Sequence, residues 1–93
     1  MELRHLRYFV AVVEEQSFTK AAEKLFIAQP PLSRQIQNLE AELDIQLFER
    51  GSRPLKTTEA GQFFYQHAVK LLSNAEEIKS MTKRIGIADR TIT

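Results

Sequence analysis

Between positions 30 and 38 the chain carries Pro30, Ser33, Arg34, Gln37 and Asn38, a set whose donors and acceptors suit the edges of DNA bases. Arg can pair bidentately with guanine, Gln and Asn can do so with adenine, Ser can bond a base or a phosphate, and a proline ring can meet a thymine methyl. At 100° per residue they gather opposite Leu32, Ile36, Leu39 and Leu43, with Arg34 central and Ala41 alongside. Charge is graded along this segment. Arg34 lies in its first half and Glu40 and Glu42 in its second, so only the N-terminal half can face phosphate without repulsion. A second basic cluster follows in Arg50, Arg53 and Lys56, with no acid after Glu49. Arg53, beside Gly51, Ser52 and Pro54, could reach a phosphate or a narrow minor groove. Thr19, Lys20 and Lys24, with Arg4 and Arg7, are further candidates for backbone contacts that fix register.

Other chemistries have little to work with. There is no cysteine, which removes disulfides, thiolate zinc sites and cysteine nucleophiles and leaves a reducing cytoplasm as the expected location. His5 and His67 lack a paired ligand at metal spacing, and Glu14-Glu15 and Glu76-Glu77 point to different sides of a helix. No nucleophile stands with a base, and three glycines make no phosphate-cradling loop, so neither an enzyme nor a cofactor is expected. Thirteen basic against twelve acidic residues give a net charge of +1, which excludes nucleic-acid binding by bulk charge and makes the placement of charge decisive. No apolar run approaches the roughly 20 residues that cross a bilayer, and acidic Glu2 is unlike a signal peptide.

Ninety-three residues allow one small domain. Folding at this size buries only about 60% of the unfolded surface, so an oligomer contact would help. From Glu2 to Glu15, Leu3, Leu6, Phe9, Val10 and Val13 form the stripe of a first helix. Ser17 caps a second, whose Phe18, Ala21, Ala22 and Leu25 share a face. A third starts at Pro30-Pro31, where the missing N–H groups cost nothing, and runs to about Leu43, with Asp44 able to stop it in the left-handed conformation. Residues 45–50 and 55–57 read as two short strand-like pieces around a turn. Thr58 caps a last helix, in which Phe64, Ala68, Leu71, Ala75, Ile78, Thr82 and Ile85 step alternately by four and three. Over 59–86 that helix is about 40 Å long, more than three short helices can cover, so a second copy is the natural partner of its seam. Residues 87–93 carry no periodic signal. Phe48, Phe63 and Phe64 are expected in the core.

Helix, turn, helix, hairpin and capping helix make a mainly α winged helix-turn-helix. Three short helices and a small β-hairpin wing precede a long linker and dimerisation helix. The divisions are a winged helix-turn-helix at 1–58, a linker helix at 59–86 and a tail at 87–93. A winged-helix module that binds protein instead of DNA would show an apolar or acidic outward face on its third helix and no basic wing.

Ser17-Phe18-Thr19-Lys20-Ala21-Ala22, Leu25, Ala28-Gln29-Pro30-Pro31-Leu32-Ser33-Arg34-Gln35-Ile36, Leu39-Glu40, Leu47-Phe48-Glu49-Arg50 and Thr58-Glu59-Ala60-Gly61 resemble, in order and spacing, the N-terminal domain of LysR-type transcriptional regulators. The resemblance covers residues 1 to about 86. Its opening residues and the Gln29–Gln37 block are most similar to the muconate-responsive regulators of benzoate and catechol breakdown. The resemblance implies homodimers joined by antiparallel linker helices, tetramers in full-length members, and binding to interrupted palindromes in double-stranded DNA. It further implies a two-lobed effector domain beyond this chain that senses a small molecule. It places base reading on Gln29, Pro30, Ser33 and Arg34 and a wing contact on Arg53, and Pro31 beside them is a further candidate for DNA contact. Asp44 stands where the family usually has Gly.

Overall fold

The computed structural model describes residues 1–92 and folds as α1 (Leu3–Glu15), α2 (Phe18–Leu25), α3 (Gln29–Leu43) and α4 (Glu59–Ile92). Each early boundary has a local cause. Glu2 N–H donates to His5 Nδ1 at 3.2 Å at the start of α1. Gln16 then turns left-handed (φ 52°), and Ser17 Oγ accepts from Lys20 N–H at 3.1 Å to cap α2. Phe26 (φ 59°) ends α2, with Ile27 N–H reaching back to the Ala22 carbonyl at 3.0 Å. Ala28 precedes α3 in an extended conformation, so α3 begins at Gln29, one residue before the prolines, and Asp44 (φ 56°) ends it as expected.

α1 is central and packs against α2, α3 and α4. Phe9, Val12, Leu32, Ile36, Leu39 and Leu47 are fully buried. The Phe9 ring lies 5.3 Å from that of Phe48 and 5.1 Å, edge-on, from that of Phe64, and Phe18 packs on Phe48 at 5.8 Å. Aromatic pairs at these separations favour tilted and edge-to-face geometry. Ala21 and Ala22 let α2 approach closely. The stripe expected on α1 is displaced: Val12 is buried, Leu3 is exposed and Val10 is half-buried. Because α4 covers α1 from a second side, the buried arc is wider than one amphipathic stripe.

The expected hairpin reduces to one antiparallel bridge, Phe48 with Thr57, flanked by Glu49 N–H to the Lys56 carbonyl at 2.9 Å and Thr58 N–H to the Leu47 carbonyl at 3.0 Å. Ser52 Oγ donates to the Glu49 carbonyl at 3.3 Å and accepts from Lys56 N–H at 3.2 Å, which closes the loop where strand pairing ends. Gly51 takes the positive φ of 77° that the turn needs. Thr58 Oγ1 donates to the Gln46 carbonyl at 2.7 Å and accepts from Gly61 N–H at 3.0 Å, tying the wing to the first turn of α4.

Two expectations for α4 are corrected. The helix does not stop at Gly86 with an irregular tail from 87 but continues to Ile92. An interior glycine costs a helix only about 1 kcal/mol, which the residues on either side offset. Phe63 is not in the core but 66% exposed, because the inward side of α4 is formed by Gly61 against the wing, Phe64 and Tyr65 against α1, and buried Ala68.

Candidate nucleic-acid interface

With Leu32, Ile36 and Leu39 sealed in the core, α3 turns Pro30, Pro31, Arg34, Gln37, Asn38 and Ala41 to solvent and leaves Gln29 and Ser33 half-exposed. Its first turn spends two residues on proline, whose missing N–H groups would have had no helical partner. The N-terminal end of the helix dipole is positive and has Arg34 one turn along.

The two acids of α3 are both engaged. Glu40 Oε2 accepts from Leu47 N–H and Phe48 N–H, and Glu42 Oε1 pairs with the Met1 amino group at 2.9 Å. Among the described residues neither acid pairs with Arg34, and the Arg34 guanidinium has no hydrogen-bond partner. An exposed cation of this kind is open to an external acceptor.

The wing stands beside this face. Ser33 and Gln37 from α3 share with Arg50 and Gly51 a depression of about 310 Å³ floored by Phe18, Ile36, Phe48 and Leu55. Arg50 Nε donates to Gln46 Oε1 at 3.4 Å, which holds its stem along the depression. Arg53 and Lys56 are exposed near the wing tip, with no hydrogen-bond or ion-pair partner to their side chains among the described residues. Thr19 and Lys20 are exposed in the first turn of α2.

Two candidate backbone contacts are compensated instead. Lys24 Nζ lies 3.5 Å from Glu15 and 3.9 Å from Glu14, and Arg4 Nη2 donates to Glu2 Oε2 at 3.0 Å. Both therefore offer less free charge than Arg7, which is exposed and unpaired among the described residues. The sequence reading missed Glu40, whose acidity argued only against phosphate contact. Its signal was its place near the end of a helix that the chain folds straight back against.

The chain matches the family described as bacterial regulatory helix-turn-helix protein, lysR family, over residues 3–62. It belongs to the LysR family. This LysR-family chain is 77% identical over 92 residues to the HTH-type transcriptional regulator BenM of Acinetobacter baylyi (strain ATCC 33305 / BD413 / ADP1), covering 99% of the chain and 30% of BenM. It is 53% identical over 90 residues to the HTH-type transcriptional regulator CatR of Pseudomonas putida, covering 97% of the chain and 30% of CatR. The chain thus spans under a third of the length of either relative. Among solved structures it is similar to the BenM DNA-binding domain in complex with catB site 1 DNA. There the TM-score is 0.91 and the identity 80%, with 92% of this chain and 97% of that one covered. These LysR-family relatives are transcriptional regulators, not enzymes. Among the described residues no helix is long and apolar enough to cross a membrane.

Proposed function

We propose that this chain is the DNA-reading module of a transcriptional regulator, binding double-stranded DNA sequence-specifically with the N-terminal half of α3 in the major groove. Pro30, Ser33, Arg34 and Gln37 read base edges, with Gln29 and Pro31 at the groove entrance. Arg53 reaches the backbone or minor groove from the wing, while Thr19, Lys20, Arg50 and Lys56 hold phosphates. The observation that carries this reading is the unpaired Arg34 on the exposed face of α3, with Glu40 and Glu42 both bonded elsewhere. Support comes also from BenM, whose DNA-binding domain is 80% identical and was solved on DNA.

Residues 1–58 form the winged helix-turn-helix of this reading and 59–86 the dimerising part of α4. A homodimer presents two reading heads to an interrupted palindrome with half-sites about one helical turn, roughly 34 Å, apart. On the expected seam, Phe64 and Ala68 pack within the chain and Ala75 is half-buried, whereas Leu71, Ile78 and Ile85 are exposed and available to a second copy. The whole protein regulates genes of aromatic-compound breakdown, assembles into tetramers and senses a small effector through a further domain, as its similarity to BenM and CatR suggests. Fluorescence anisotropy of the chain with catB site 1 DNA and a scrambled duplex, at two salt concentrations, tests the binding. Salt-sensitive binding with at least tenfold preference for the site supports it, and equal binding to both duplexes removes sequence reading.

A further inference from the structure

Arg50 stands among three acids and pairs with none of them. With Glu40, Asp44 and Gln46 it lines a polar depression of about 510 Å³ at the C-terminal end of α3, and Glu49 precedes it in the chain. Among the described residues Arg50 is nevertheless in no ion pair. The partner that its side chain does have is neutral, the Gln46 amide oxygen, which accepts from Arg50 Nε at 3.4 Å.

The surroundings explain why an amide and not a carboxylate holds this arginine. Glu40 lines the same depression, but its Oε2 is committed to Leu47 N–H and Phe48 N–H. Gln46 is fixed from behind: its carbonyl accepts from Thr58 Oγ1 at 2.7 Å, and the next residue, Leu47, is buried. Its side chain therefore projects from a rigid stretch of backbone while remaining exposed.

Resting on the reading of Arg50 as a phosphate contact, we propose that Gln46 is a positioning residue for DNA binding. It holds the Arg50 guanidinium by Nε so that both Nη groups are offered to a backbone phosphate between α3 and the wing. Arginine takes a phosphate bidentately through its planar fork of N–H groups, and the bond at Nε orients that plane before DNA arrives. A side chain already held has less rotamer freedom left to lose on binding. Because the holder is uncharged, the guanidinium keeps its full charge for the phosphate, whereas a carboxylate in its place would cancel that charge and compete for the same donors. Ser33 and Gln37 stand with Gln46 and Arg50 around the neighbouring depression, so the phosphate held here flanks the bases that α3 reads.

A double-mutant cycle on the whole chain tests this, with anisotropy on catB site 1 DNA and on a scrambled duplex. Gln46→Ala keeps the carbonyl that Thr58 uses, so its melting temperature is expected to stay native. It should raise Kd about threefold on both duplexes, and Gln46→Met, which has similar length but no amide oxygen, should do the same. Arg50→Ala should raise Kd about tenfold on both and lower the salt slope by about one unit. The double variant is expected to bind no worse than Arg50→Ala alone, because Gln46 acts through Arg50. Losses that add in the double variant, or a lowered melting temperature in Gln46→Ala, would make Gln46 a support of the wing and overturn the proposal. So would unchanged binding by Gln46→Ala, or a loss confined to catB site 1 DNA, which would mean that Gln46 reads a base itself. Native binding by Arg50→Ala would instead remove the phosphate reading of Arg50 on which the proposal rests.

Discussion

The Glu40 carboxylate fastens α3 to the wing: its Oε2 accepts from Leu47 N–H at 2.7 Å and from Phe48 N–H at 3.4 Å. These two backbone groups begin the segment that carries Arg50 and Arg53, and Leu47 and Phe48 are themselves buried in the core. One oxygen thus sets the distance between the two basic clusters. Glu40→Ala leaves two N–H groups without that acceptor and is expected to cost about 1–3 kcal/mol in urea unfolding, with Glu40→Gln losing less.

Gly61 lies where the first turn of α4 crosses the wing. A Cβ there would be driven onto the Leu47 carbonyl oxygen, a backbone atom that cannot swing aside. Gly61→Ala should destabilise the domain by about 1–3 kcal/mol despite alanine's better helix propensity. Gly86→Ala, with open space around its Cα, should stabilise it slightly. Thermal melts of the two variants check the opposite signs.

Phe26 holds a left-handed φ of 59° and is 94% exposed, so its ring is little buried to offset the backbone cost. For a residue with a Cβ that conformation costs roughly 1–2 kcal/mol, and glycine is the usual occupant of this helix-ending position. Phe26→Gly is expected to raise stability by about 1 kcal/mol, read as a higher urea midpoint with unchanged slope.

These cases mark what was legible in the residues alone. The helices were, because Leu32, Ile36 and Leu39 keep a helical period and Ser17, Thr58 and Asp44 punctuate it. The groove face followed from the same period, which placed Arg34 opposite the core. The wing was only half legible: its shape rests on Ser52, Glu40 and Thr58 reaching main-chain groups, and such contacts leave no periodic trace. Phe63 was misplaced because a single apolar seam was assumed on α4. The helix in fact has two apolar faces, one for α1 and one exposed, and Phe64 and Phe63 fall on different ones.

Tyr65 joins α4 to α1 through its hydroxyl, which donates to Glu14 Oε2 at 2.9 Å. That hydrogen bond, then burial, then repulsion from the Glu14 charge raise the Tyr65 pKa above the ordinary 10.0. A raised pKa means that the neutral form is favoured in the folded chain. The contribution is complete below the unfolded pKa and is lost as pH climbs through the folded one. Tyr65→Phe should lower stability by about 1 kcal/mol or less at neutral pH and lessen the decline at strongly alkaline pH, as melts across that range would show.

The central claim is that α3 reads bases while the wing holds phosphate. It is tested most directly by comparing Arg34→Ala and Lys56→Ala on catB site 1 DNA and on scrambled DNA across a salt series. Arg34→Ala is expected to lose about 1–3 kcal/mol on the site and little on scrambled DNA, so that preference falls. Lys56→Ala should weaken both equally and lower the salt slope by about one unit. Equal losses on both duplexes from both variants would contradict the division of labour between α3 and the wing.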